Sequence, residues 1–423
     1  MHVRRRWMIL VVGVILIGAI NPPAASGQTR SQIIGTIKDS SGGVLPGVTL
    51  TLTSPNMVGG AQTAVTSADG TYRFSNLPPG VYTVEAALQG FQTIKRTGLQ
   101  VAASTTVTVD LAVAVGSMTE TVTVTGATPV VDVKTAASTM KVDETFLQNL
   151  PFGNRTTRPQ EIFAMAPGIT TTRTAHGGFR DANNMMVDGV PSAIVGNIQS
   201  SSLNYSWMQE VQVVSLGANA EYGEFTGTVS NMIMKSGSNI FSGLFDYFTT
   251  RESWVAKNFG SLSPALQAKF ASTQKVLSRW EATFQGGGPI VKDKLFFFAG
   301  ADVYRNEYVN MGALPGPDGN PVAANEHWKR YLGKVNWSPA TAVRIEGFIE
   351  RDADDINPTA TSMTSSVSNT SWIPKTLYNT RLTWTINDKT LYEARIGGLR
   401  TEQDFLPPAR RTPSMVRTPT RTR

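Results

Sequence analysis

The sequence has no cysteine and only three histidines, His2, His176 and His327. The first absence excludes disulfides, thiolate metal sites, cysteine nucleophiles and a lipidated N-terminal cysteine. The second leaves no H-x-x-E or H-E-x-x-H arrangement, so a zinc peptidase centre is excluded. There is no G-x-S-x-G elbow and no phosphate loop. The "GGGP" of Gly286–Pro289 is not followed by Lys-Ser/Thr, and it reads as part of a turn, "GGGPIVKDK". No catalytic, metal or cofactor residue is assigned, and no enzymatic activity is expected. Charge is also scarce, at 16% of residues. The net charge of +7 comes from the two ends. Arg4, Arg5 and Arg6 lie in the first 27 residues, and Arg410, Arg411, Arg417, Arg421 and Arg423 in the last 15, with no acid in either stretch. The remaining 30 basic residues face 31 acidic ones, so a nucleic-acid footprint is absent.

Long apolar runs are missing except near the start. "MHVRRRW" is a basic head, "WMILVVGVILIGAI" is an apolar run short for a membrane span, and "NPPAASGQ" carries Ala25 and Gly27 at positions suited to cleavage between Gly27 and Gln28. Residues 1–27 are therefore expected to be a secretory signal peptide.

What is plentiful is alternation broken by turns, with 38 Gly and 23 Pro. Residues 28–115 read as seven or so short strands between the turn clusters "DSSGG", "LPG", "ADG" and "NLPPG", a β-sandwich with Phe74, Leu77, Tyr82, Val84 and Phe91 in its core. Asp69 in "ADG" reads as a turn residue, because no further acidic ligands cluster beside it. The stretch "GTIKDSSGGVLPGVTLTL…TSADGTYRFSNLPPGVYTVEAALQGF" resembles the carboxypeptidase-regulatory-like domain, a transthyretin-like sandwich.

Residues 130–239 change character. "VDETFLQNLP" has Asp143 as N-cap and stops before Pro151, and "TRPQEIFAMAPG" carries Ile162, Phe163 and Met165 near helical spacing. "LQNLPFGNR", "GGFRDANNMMVDGVP" and "MQEVQVVSLGANAEYGEFTGTVSNMIMKSGSN", in that order behind a sandwich, resemble the α+β plug domain of TonB-dependent outer-membrane receptors. Thr228 and Met234 stand where that family usually has Gly and Thr. The resemblance gives a meaning to "MTETVTVTGATP", Met118–Pro129, in the linker of residues 116–129. Its alternation marks a strand with no evident partner nearby. In these receptors a TonB box precedes the plug and is captured as an added strand by TonB. Glu120, Thr121, Val122, Thr123, Val124, Thr125 and Gly126 occupy that place, and strand addition suits an unpaired β-branched segment. The other reading is that Val122 and Val124 simply finish the sandwich or join the plug sheet.

From residue 240 to 405 the strands lengthen to about ten residues, the span a tilted transmembrane strand needs. Phe241, Phe245 and Tyr247 share one side; Tyr331, Gly333, Val335 and Trp337 share another, with Arg330, Lys334 and Asn336 opposite. Lys334 points inward, and reversal of its charge is expected to be tolerated. Turns alternate with long connections at 250–274, 306–327 and 352–378, and one hairpin turns at Asn387-Asp388. This is the pattern of an antiparallel transmembrane β-barrel. Roughly seven strands are present, whereas plugged transporters use about twenty-two. Residues 406–423, "LPPARRTPSMVRTPTRTR", leave the pattern, and the chain reads as a truncated barrel.

The fold expected is thus mainly β: signal peptide, transthyretin-like sandwich, α+β plug, and the start of a barrel. The resemblance implies an outer-membrane receptor that takes up a small or oligomeric ligand, with the sandwich in the periplasm. Its partners would be the TonB periplasmic domain and outer-membrane lipid, and no nucleic acid. Saccharide or polymer uptake is frequent in receptors with such a sandwich. A secreted or surface β-sandwich binding or adhesion protein is the alternative class.

Overall fold

The computed structural model describes residues 31–57, 59–103, 105–116, 121–125, 138–149, 162–163, 165–170, 174–176, 183–192, 203–217, 227–254, 263, 274–310, 323–357, 370–387, 390–402 and 404–406. The cleavage site at Gly27 and Gln28, and Glu120 and Gly126, lie outside them, as does the tail from residue 407. The chain is mainly β. Among the described residues no helix is long and apolar enough to cross a membrane.

The first unit is a two-sheet sandwich. Its strands are β1 (Ser31–Asp39), β2 (Thr49–Thr53), β3 (Gln62–Val65), β4 (Thr71–Leu77), β5 (Gly80–Ala87), β6 (Thr93–Val101), β7 (Thr106–Thr108) and β8 (Leu111–Val113). A ninth, β9 (Thr121–Thr125), follows. One sheet runs β4-β1-β7 with β8 also on β1; the other runs β3-β2-β5-β6-β9. Alternation in β1 and β5 puts Ile33, Ile37, Tyr82 and Val84 into the space between the sheets. Phe74 and Leu77 join them, while Phe91 is only partly buried at the rim of that core. Buried tyrosines need a partner for the hydroxyl. Tyr82 Oη donates to the Pro78 carbonyl at 2.6 Å and Tyr72 Oη to that of Val109 at 2.6 Å. Asp69 closes its own turn, its Oδ1 accepting from Ser67 Oγ at 2.5 Å and Thr71 Oγ1 at 2.8 Å. The Ser67 bond, then the Thr71 bonds, hold its carboxyl below the usual range.

β9 follows the second of its two readings and completes a sandwich sheet. It lies parallel to β6, with Thr121 opposite Thr93 and Thr125 opposite Thr97. Short β-branched strands are poor as isolated elements, and β6 offered an open edge with unpaired backbone groups.

The middle unit is built on β10 (Ser138–Asp143), β11 (Asn184–Val187), β12 (Val190–Pro191), β13 (Met208–Leu216) and β14 (Val229–Met234), in the order β10-β13-β14-β11-β12. Helix α1 (Glu144–Asn149) follows β10 directly. Asp143 caps it as expected, its Oδ1 accepting from the Phe146 amide at 2.8 Å. Ile162 and Phe163 are buried in a helical turn, whereas Met165 is exposed.

The third unit is an antiparallel meander of β15 (Ser242–Arg251), β16 (Gln274–Val291), β17 (Leu295–Asn310), β18 (Ala323–Ala340), β19 (Val343–Asn357), β20 (Thr370–Asn387) and β21 (Thr390–Thr401), with short β22 (Asp404–Leu406) also on β20. Two expectations change here. Strands reach 18 residues, because pairing continues into segments read as long connections. Gly286–Pro289 are strand, not turn; the chain turns at Lys292, Asp293 and Lys294. The glycines serve a close approach instead. A Cβ on Gly288 would stand 2.2 Å from Phe241 Cδ1, and one on Gly287 2.9 Å from the Phe297 carbonyl oxygen.

Candidate functional site

Period-two alternation gives the meander two chemically opposed faces. On β18, Tyr331 is 53% exposed and Val335 and Trp337 are each 44% exposed, whereas Arg330 is 0% exposed and Lys334 and Asn336 are buried. Ile349, Tyr378, Trp384 and Ile396 continue the exposed apolar face across β19, β20 and β21. On β15 and β16, Phe245 and Phe284 extend it as a ring pair with centroids 4.6 Å apart.

The opposite face carries buried charges among apolar side chains. Arg330 Nη1 pairs with Asp302 Oδ2 at 3.0 Å and its Nε lies 3.4 Å from Asp352 Oδ1. Lys375 Nζ reaches Asp354 Oδ2 at 2.8 Å and Asp352 Oδ2 at 3.5 Å. The Arg330 guanidinium also lies over the Trp328 ring, 4.5 Å from its centroid, and Trp328 stacks on Tyr304. Charges removed from water in this way persist only when paired, and losing one partner costs about 3–5 kcal/mol. The ladder therefore holds β17, β18, β19 and β20 in one register from the inside.

The middle unit covers this inner face. Its apolar core is continuous with the meander: Trp207, Met208, Val211 and Met232 share one cluster with Phe298, Leu332, Phe348 and Leu377. Two glycines make notches for it. A Cβ on Gly300 would stand 2.6 Å from the Trp207 ring nitrogen, and one on Gly397 2.7 Å from Val190 Cγ2.

Two polar contacts fix the seating. Asn204 is fully buried, and its Nδ2 is within reach of Thr283 Oγ1 (2.9 Å), Asp302 Oδ1 (3.1 Å) and Glu281 Oε1 (3.2 Å). Its Oδ1 accepts from the Ser206 amide at 2.8 Å, which caps the 3-10 turn Tyr205–Trp207. The second contact is the Asp188-Gly189 turn. Asp188 has φ +46°, a conformation that Asp tolerates better than most residues. Lys334 Nζ donates to Asp188 Oδ2 at 2.8 Å and to the Met234 carbonyl at 2.9 Å. Arg395 Nη1 donates to the Gly189 carbonyl at 2.9 Å. The expectation that Lys334 tolerates charge reversal is thereby corrected. Its inward direction is as read, but it meets a buried carboxylate rather than water.

Of the residues singled out for strand capture, Thr121, Val122, Thr123, Val124 and Thr125 form β9. β9 ends its sheet, so among the described residues only its β6 side is paired. Sequence reasoning did not find Asn204, Asp188 or Arg395. The "DGVP" turn was visible, but nothing in it names a lysine 146 residues away.

Residues 32–114 match the family model described as carboxypeptidase regulatory-like domain. Among curated proteins the chain is similar to the TonB-dependent transporter Oar of Myxococcus xanthus, 29% identical over 316 residues, which cover 71% of this chain and 29% of Oar. The chain thus spans under a third of the length of that relative. Among solved structures it is similar to the outer-membrane transporter YddB from Escherichia coli, at 14% identity and a TM-score of 0.49, covering 62% of this chain and 38% of that one. It is likewise similar to the siderophore receptor PirA from Pseudomonas aeruginosa, at 14% identity and a TM-score of 0.47, covering 64% and 42%.

Proposed function

We propose that this chain supplies the plug and a run of wall strands of a TonB-dependent outer-membrane transporter. The observation that carries the reading is the polarity of the meander, apolar and aromatic where it is exposed, with its charges paired and buried on the covered side. A soluble sheet places its charges the other way round, whereas a membrane barrel faces lipid outside and a polar interior inside. The similarity to Oar, which includes much of the chain behind the sandwich, supports the same reading. In this account residues 1–27 are removed as a signal peptide, 28–115 form a periplasmic sandwich, 130–239 the plug and 240–405 the wall, with 406–423 outside the barrel pattern. The whole protein binds a small or oligomeric ligand from outside and performs no covalent chemistry on it.

Energy enters through Glu120–Gly126. The free side of β9 offers backbone donors and acceptors to an incoming strand, and strand addition draws affinity from those groups. Val122→Pro or Val124→Pro removes a donor and fixes φ, whereas Val124→Ile keeps both donor and strand propensity. A peptide of residues 117–129 is expected to bind the periplasmic domain of a cognate TonB in its native and Ile forms and not in its Pro forms. Normal binding by the Pro forms would overturn the assignment of this segment. The membrane reading has its own test: the chain, expressed with its leader, is expected in the outer-membrane fraction. Recovery as a soluble periplasmic protein would overturn it.

A further inference from the structure

Glu210 and Gln212 stand two residues apart on β13, on the face opposite Val211 and Val213 of the apolar core. A polar strand face of this kind is normally wet. Here Glu210 is 5% and Gln212 3% exposed. Ala103, in the sandwich turn that follows β6, covers them. Its amide donates to Glu210 Oε2 at 3.1 Å, and its carbonyl accepts from Gln212 Nε2. Gln212 Nε2 also donates to Glu210 Oε1 at 2.7 Å, which ties the two side chains together. Both backbone groups of one residue are thus satisfied by side chains of another unit, as a neighbouring strand would satisfy them. A second sandwich turn makes parallel contacts. Gln209 Nε2 donates to the Pro79 carbonyl at 2.9 Å, and Arg344, at the start of β19, donates to that of Asn76 at 2.8 Å.

We propose that these two turns, 76–79 and 102–103, are a docking surface for β13, and that they seat the sandwich as a cap on the middle unit and on the short-turn end of the meander. The inference goes beyond the transporter reading and rests on it in one respect, that the capped side is the periplasmic one. A partner reaching the plug from that side meets the sandwich first, and β9 sits on the sandwich sheet rather than on the plug.

The absence of cysteine makes the test direct. In the full chain, Pro79→Cys with Gln209→Cys creates the sole thiol pair, and Pro79→Cys with Leu216→Cys, at the far end of β13, is the control. Mild oxidation is expected to link the first pair about tenfold faster than the control, the ratio a docking preference of one or two hydrogen bonds supports. Equal rates for the two pairs would overturn the cap. A second measurement does not depend on cysteine. Glu210→Ala with Gln212→Ala should speed amide exchange in residues 100–106 about tenfold while residues 82–87 keep their protection. Unchanged exchange at 100–106 would likewise overturn it. Heat-modifiable mobility of the same samples reports the membrane reading separately, so the two can fail independently.

Discussion

The sandwich and the meander use the same period of two with opposite signs. In β1 the residues facing inward are Ile33 and Ile37, and charge appears only at the exposed end. In β18 the inward residues are Trp328, Arg330, Leu332, Lys334 and Asn336, while Tyr331, Val335 and Trp337 face outward. One unit hides its apolar side from its surroundings and the other displays it. A strand's pattern therefore reports what each face meets, and alternation alone does not say which face is the core. Burial of Arg330 beside Asp302 and Asp352 decides the matter for the meander, because such groups tolerate dryness only when paired.

The largest effects should come from placing the wrong chemistry at a buried position of each unit. Lys334→Glu sets a second carboxylate against Asp188 and is expected to cost about 3–5 kcal/mol, the usual penalty for an uncompensated buried charge. Loss of the compact, heat-modifiable form on gel electrophoresis checks it; full retention would mean the Asp188 turn is not held by the wall. Tyr82→Ala empties an aromatic site in the apolar core and is expected to cost a similar ~3–5 kcal/mol, read as a drop in the sandwich's thermal transition. An unmoved transition would remove Tyr82 from the core.

A middling effect tests the outer face. Val335→Arg is expected to cost about 2–4 kcal/mol if it meets lipid near the bilayer centre, and close to nothing if it meets water. Denaturant titration in lipid vesicles and in detergent-free buffer separates the two outcomes.

The smallest effect concerns Glu210. Burial raises its carboxyl above the ordinary value of 4.5, against the opposing influence of Gln212, the Ala103 amide and Lys141, with Asp143 adding to the rise. A raised carboxyl binds its proton more readily in the docked state. Its contribution to docking is therefore fully present below pH 4.5 and fades as pH climbs through the raised value. Exchange at residues 102–103 should quicken with rising pH beyond the intrinsic trend, and Glu210→Gln should flatten that excess. An identical profile in the variant would remove Glu210 from the interface.

What was legible in the sequence was whatever repeats locally. The inward set Phe74, Leu77, Tyr82 and Val84, the cap at Asp143, and the outward set Tyr331, Val335 and Trp337 all follow from spacing within one strand or turn. What was not legible depends on partners distant in the chain. Asn204 was not singled out, and only the fold sets it against Glu281, Thr283 and Asp302. Lys334 reads as one more inward polar residue until Asp188 arrives beside it. β9 was legible as a strand, and finishing the sandwich was one of its readings, but parallel pairing across an intervening stretch leaves no turn signature that singles out β6. The glycines of "GGGP" misled for a related reason. Glycine marks both turns and close backbone approach, and here the nearby ring of Phe241 required the second.

Spin labels placed one at a time at residues 329–337, on a chain without native cysteine, test whether the meander's outer face meets lipid and its inner face the middle unit, by relaxation with oxygen, which concentrates in lipid, and with a water-soluble nickel complex. In outer-membrane vesicles a period of two is expected, with odd positions 331, 333, 335 and 337 open to oxygen and shielded from nickel, and even positions shielded from both. Nickel access at the odd positions, or the same response at odd and even positions, would contradict it.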